Sequence, residues 1–134
     1  MTRVLIVDDQ PAFRRQLGRL LRQAGLSVVA EAGGIPEAEL EVCTEKPDLA
    51  VVGLMLPGVD GIEGIARLKA VHSELRVILV SVAREHAEVL RAAAVDAGAE
   101  GFVPKDDPDL ERVRRWKSRG YPEVSIDRSV CDWK

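Results

Sequence analysis

The sequence predicts an α/β domain: a five-stranded parallel sheet with helices on both faces. Two observations carry this. Strand-like and helix-like segments alternate five times along 134 residues. The strand-like runs are almost continuously apolar, as strands covered on both faces are, rather than alternating apolar and polar. Alternating β and α elements put helices on both sides of such a sheet. Right-handed crossovers then bring every strand's carboxyl end to one edge, where open sheets of this kind bind ligands.

Val4–Val7 is the first strand. A helix follows from about Pro11 to Ala24, with Pro11 suited to a first turn and Gly25 to a stop. Phe13, Leu17, Leu20, Leu21 and Ala24 fall on one face of it and mark the buried side. Arg15, Arg19 and Arg22 share another face and read as solvated. Ser27–Ala30 is the second strand. Pro36–Glu45 is a second helix with a thin apolar pattern, Ala38 and Val42. Leu49–Val52, a third helix over Ile62–His72, and Val77–Val80 follow. A fourth helix covers about Glu85 to Ala97, with Leu90, Ala93, Ala94 and Ala97 inward and Gly98 as its stop. Gly101–Val103 is a short fifth strand, and Pro108–Lys117 a fifth helix. Residues 1–117 thus make one domain, and 118–134 a tail too short to form an output domain with its own core.

Composition is that of an ordinary soluble domain, with 31% charged and 46% apolar residues. A net charge of -3 gives no general electrostatic reason to bind nucleic acid or anionic lipid. No apolar run approaches the ~20 residues of a membrane span. Cys43 and Cys131 show neither metal-ligand spacing nor a disulfide framework, so a reducing cytoplasm is expected. His72 and His86 have no partners at useful spacing.

Chemistry concentrates at the strand ends. Asp8 and Asp9 close the first strand, Ser81 the fourth and Lys105 the fifth. Two acids, a hydroxyl and an ammonium are the parts of a phosphate-handling site, and the topology brings them to one edge. The third strand ends instead at Gly53, with no side chain.

Leu5-Ile-Val-Asp-Asp9, Leu54-Met-Leu-Pro-Gly-Val-Asp-Gly61, Ser81 and Gly98-Ala-Glu-Gly-Phe-Val-Pro-Lys105 resemble, in order and spacing, the receiver domain of two-component response regulators. The resemblance covers about residues 3 to 115. It implies the flavodoxin-like (CheY-like) strand order 2-1-3-4-5. It also implies that Asp8 and Asp9 help bind Mg²⁺ and that Met55 offers the metal its backbone carbonyl. Ser81 would be the switch hydroxyl, Phe102 the switch aromatic and Lys105 the lysine that meets a phosphoryl group. Residue by residue there are plainer readings: Ser81 could cap the following helix, and Phe102 could simply be core. The family's acceptor aspartate falls on Gly53, where the pattern breaks.

Phosphoryl transfer to a carboxylate needs a nucleophilic oxygen, and glycine offers none. Mg²⁺ binding should be weakened, and Lys105, without its local partner, can turn to Asp8 or Asp9. The expectation is a receiver-type module of two-component phosphorelay signalling. It would not be an enzyme, would lack a phospho-acceptor, and would act by protein–protein contact with a histidine kinase, another signalling protein or a second copy. DNA binding is not expected of this chain alone. An ordinary phosphorylatable receiver present as an acceptor-site variant is the alternative. A Mg²⁺-dependent phosphohydrolase using Asp8 is a more distant one, since Asp8-Asp9-Gln10 does not form the Asp-x-Asp motif of haloacid-dehalogenase-like enzymes. The tail is expected to pack through Tyr121 or Trp133, and an aspartate restored at position 53 to face a shallow pocket ready for it.

Overall fold

The computed structural model of the chain describes residues 1–82, 86–105 and 109–117. The expected tail contacts of Tyr121 and Trp133, and Cys131, lie outside these residues. Five strands, β1 (Arg3–Val7), β2 (Ser27–Ala32), β3 (Leu49–Gly53), β4 (Arg76–Ser81) and β5 (Gly101–Pro104), form one parallel sheet in the order β2-β1-β3-β4-β5. Between them run α1 (Pro11–Gln23), α2 (Ile35–Glu45), α3 (Gly61–Val71) and α4 (Ala87–Ala97), and α5 (Leu110–Arg115) follows β5.

The strands alternate between two cores, as a pleated chain must. Val4, Ile6, Val51, Ile78 and Val80 face α1 and α5, with Phe13, Leu17 and Leu21 of α1 set against them. Leu5, Val7, Val52, Val77 and Leu79 face the layer of α2, α3 and α4. All residues of β3 and β4 are buried, which explains why those runs carry no polar alternation.

The expected helices differ from the observed ones mainly at their starts, where side chains decide. The second helix opens one residue early, because Ile35 anchors it. Ile35 is wholly buried, and its side chain fills the space a Cβ on Gly64 of α3 would need. This contact rescues a helix whose apolar stripe is otherwise only Ala38 and Val42. At the start of α3, Asp60 caps with its carboxylate, accepting from the Glu63 N–H at 2.9 Å. The capping Asp109 accepts from the Arg112 N–H at 2.8 Å, so the described part of α5 begins at Leu110; Pro108, the expected start, lies outside the described residues. Likewise α4 begins at Ala87 in the described residues, after His86 in a left-handed conformation (φ 62°), and the expected start at Glu85 is not described. Gly25 (φ 91°) and Gly98 (φ 115°) end their helices in the left-handed region that glycine tolerates.

Just past α5, Trp116 is 1% exposed and closes the α1/α5 core, a role the sequence pattern did not single out. Arg76 at the start of β4 is 6% exposed and grips Glu100 with two guanidinium nitrogens, at 3.0 and 2.6 Å. No helix among the described residues is long and apolar enough to cross a membrane.

Asp60→Ala is expected to lower stability by about 1 kcal/mol, the ordinary worth of an N-cap. Urea unfolding would register this as a lower midpoint with an unchanged slope.

Candidate functional site

The carboxyl edge of the sheet gathers the expected residues at the ends of β1, β3, β4 and β5. Val7 pairs with Val52, Gly53 with Val80, and Ser81 with Pro104, so the ends of the four strands stand side by side. The Lys105 N–H donates to the Ser81 carbonyl at 2.8 Å, which ties β5's exit to β4. Lys105 reaches back across the edge from there.

The Lys105 ammonium lies 2.9 Å from Asp8 Oδ2 and 3.0 Å from Oδ1, with hydrogen-bond geometry to Oδ1. It also donates to Gln10 Oε1 at 2.7 Å and sits 4.8 Å from the centre of the Phe13 ring. Gln10 holds the other side as well, its backbone N–H donating to Asp8 Oδ1 at 2.9 Å. Asp8 is 1% exposed, and its Oδ2 is buried with no hydrogen-bond partner among the described residues. A buried carboxylate needs a countercharge close by, and here it has the ammonium.

Gly53 explains where Oδ2 has gone. A Cβ built on Gly53 would lie 2.5 Å from Asp8 Oδ2 and 3.4 Å from Cγ. The carboxylate therefore fills the space that a side chain at position 53 would enter. The expected shallow pocket beside Gly53 is corrected here: that volume is already taken, by a group the sequence placed only nearby. The Gly53 carbonyl is closely covered in turn by Gly61, where a Cβ would collide with it.

Not every expected residue joins the cluster. Asp9 is exposed and its carboxylate has no partner among the described residues. Met55, two residues past β3, has an exposed side chain. Ser81 is buried at the same edge. Phe102 is buried in the core of the α2/α3/α4 layer, with the Arg91 guanidinium 5.6 Å above its ring. Gln10 and Phe13 are the contributors that sequence reasoning missed. Phe13 was read only as a core residue of α1, and nothing in the spacing of Gln10 marks it as a ligand for Lys105.

These residues do not fit Mg²⁺ well. Mg²⁺ asks for a near-octahedral set of oxygens, usually with one or two carboxylates free to meet it. The buried acid of the pair is engaged by an ammonium on both oxygens, and the other faces solvent. No group of three or more His, Cys, Asp or Glu side chains suited to a metal occurs among the described residues.

Comparison with known proteins matches residues 4–114 to the response regulator receiver domain. A Pseudomonas aeruginosa protein described as a transcriptional regulator is 40% identical over 106 residues, 78% of this chain and 50% of that protein. The response regulator MprA of Mycobacterium bovis is 32% identical over 128 residues, 93% of this chain and 54% of its own. The chain thus spans about half the length of the curated relatives it matches. Among solved structures, a LuxR-family two-component response regulator from Aurantimonas sp. SI85-9A1 superposes with a TM-score of 0.79 at 32% identity, covering 87% of this chain and 84% of that one.

Proposed function

The chain belongs to the response regulator receiver domain family, and from that premise we propose that it is a receiver-type signalling module that takes no phosphoryl group at position 53. One observation carries the reading: β3 ends in a residue with no side-chain oxygen, and the space beyond its Cα holds the Asp8 carboxylate. Neither a nucleophile nor room for a donor's phosphorus is left at that point. The receiver unit is taken as residues 1–117, with 118–134 following it in the sequence.

The module works in the cytoplasm through protein contacts, with a histidine kinase, another signalling protein or a second copy as partner, and not as an enzyme or by binding DNA itself. Ser81 and Phe102 keep the switch positions of the family without a phosphoryl group to answer. Any Mg²⁺ binding through Asp8, Asp9 and the Met55 carbonyl is weak, because Asp8 is already neutralised.

Incubation with acetyl phosphate and Mg²⁺ followed by intact-mass measurement tests this reading. The unaltered chain is expected to show no phosphoryl adduct under conditions that label an aspartate-bearing receiver run alongside. An adduct would mean that another residue accepts the group, and would overturn the proposal.

A further inference from the structure

Resting on that functional reading, we propose that Lys105 is the built-in counter-ion of this site, and that Gly53 is what makes the arrangement fit. The chain then holds its acidic edge closed without a divalent cation. Glycine here is an accommodation, and not merely a lost acceptor.

Asp8 is 1% exposed and must be neutralised where it stands. An ammonium has three donors and no acceptor. Lys105 directs them toward Asp8 and Gln10 while its charge lies over the face of Phe13, 4.8 Å from the ring centre. Gln10 holds both partners, Lys105 through its side chain and Asp8 through its backbone N–H. The ammonium's donors are thus taken up by groups at the end of β1, the start of α1 and the exit of β5.

Asp8 Oδ2 lies 2.9 Å from the ammonium, and its far side points at Gly53, where a Cβ would come within 2.5 Å. Real Cβ atoms do not approach an oxygen that closely. Any residue but glycine would push the carboxylate away and loosen its contact with Lys105. Gly53 and the Asp8–Lys105 pair are therefore energetically coupled. A divalent ion entering here would have to displace an ammonium of like sign, with the exposed Asp9 as the second carboxylate of the pair among the described residues.

The test is Mg²⁺ titration of the purified chain by calorimetry and thermal melting, alongside Lys105→Met, Gly53→Ala and the double variant. The unaltered chain is expected to melt within about 1 °C in EDTA and in about 10 mM Mg²⁺, since a ligand that does not bind the folded state cannot stabilise it. Lys105→Met should melt lower and gain a Mg²⁺-dependent rise of roughly 3–6 °C, with Asp8 released to a metal. Alanine ordinarily stabilises a strand relative to glycine, so a lower melting point for Gly53→Ala is diagnostic of the collision. The two substitutions should be non-additive, because each breaks the same contact.

A Mg²⁺ response of the unaltered chain equal to that of Lys105→Met would overturn the inference, as would strict additivity or a stabilised Gly53→Ala. Should Lys105→Met fail to fold, the titration of the unaltered chain and the melting of Gly53→Ala still decide. A Mg²⁺ response without a phosphoryl adduct defeats this inference alone. An adduct on the unaltered chain defeats the functional reading beneath it.

Discussion

Gly53→Asp is expected to lower the stability of the metal-free chain by about 1–3 kcal/mol, and to convert a chain that takes no phosphoryl group into one that does. Three effects set the sign of the stability change. Replacing a strand glycine favours the variant by roughly 0.5–1 kcal/mol through the unfolded chain. Against this, the new Cβ lands 2.5 Å from Asp8 Oδ2, so the Asp8 carboxylate must rotate and give up part of its contact with Lys105. Overpacking of this kind typically costs about 1–3 kcal/mol, and two carboxylates sharing one ammonium repel each other besides. The unfavourable pair wins. Since about 1 kcal/mol shifts the melting point of a domain this size by roughly 3–6 °C, the change lies well within reach of a thermal scan.

Labelling should follow because the backbone around position 53 is in place. β3 pairs in register with β1 and β4 on either side, and Gly61 packs closely on the residue-53 carbonyl, so an aspartate there would be aimed by a rigid frame. What the sequence did not foresee is that Asp8 must first leave. Mg²⁺ gives the displaced carboxylates a cation to share, so the adduct should require Mg²⁺ and the metal should recover the lost stability. Intact mass with and without Mg²⁺, and melts of the same samples, report both. A metal-free variant more stable than the parent would show that Asp8 does not hold the position described here. An absence of adduct would show that the edge has diverged from a phosphorylatable site beyond position 53.

Lys105→Met should be the most destabilising single change at this edge, by roughly 3 kcal/mol. Removing one partner of a buried ion pair typically costs about 3–5 kcal/mol, because the remaining charge is left without compensation. Asp8 is 1% exposed and Lys105 14%, so the pair is buried enough for that range to apply. The lower end is the better estimate. The Gln10 N–H still donates to Oδ1 at 2.9 Å, so the carboxylate keeps one hydrogen bond. Urea unfolding of the two chains measures the difference directly, and a loss below about 1 kcal/mol would mean that the pair behaves like an exposed surface bridge.

The cluster around Asp8 shows where sequence reasoning reached and where it stopped. Strand positions and the gathering of Asp8, Ser81 and Lys105 at one edge follow from patterns that act locally or by chirality, whereas the strand order came only from the family resemblance. Continuous apolar runs need two covered faces, helices end at residues that tolerate left-handed backbone, and crossovers turn one way. Of the two acids open to Lys105, the ammonium stands on Asp8. Gln10 and the second role of Phe13 were not legible, because their contacts span 95 residues in one case and depend on a ring's distance from a charge in the other.

By itself, then, the sequence determined the architecture, the edge and the lack of a side-chain oxygen at the end of β3, because each depends on residue type and spacing. Only the tertiary structure decided that Asp8 and not Asp9 holds the lysine, that Ile35 seats the second helix against Gly64, and that Trp116 closes the α1/α5 core. Those are choices among neighbours, made by packing at the scale of a single methyl group. The same physics gives Gly53 its meaning: the room left by one missing Cβ is the room into which a buried carboxylate has moved.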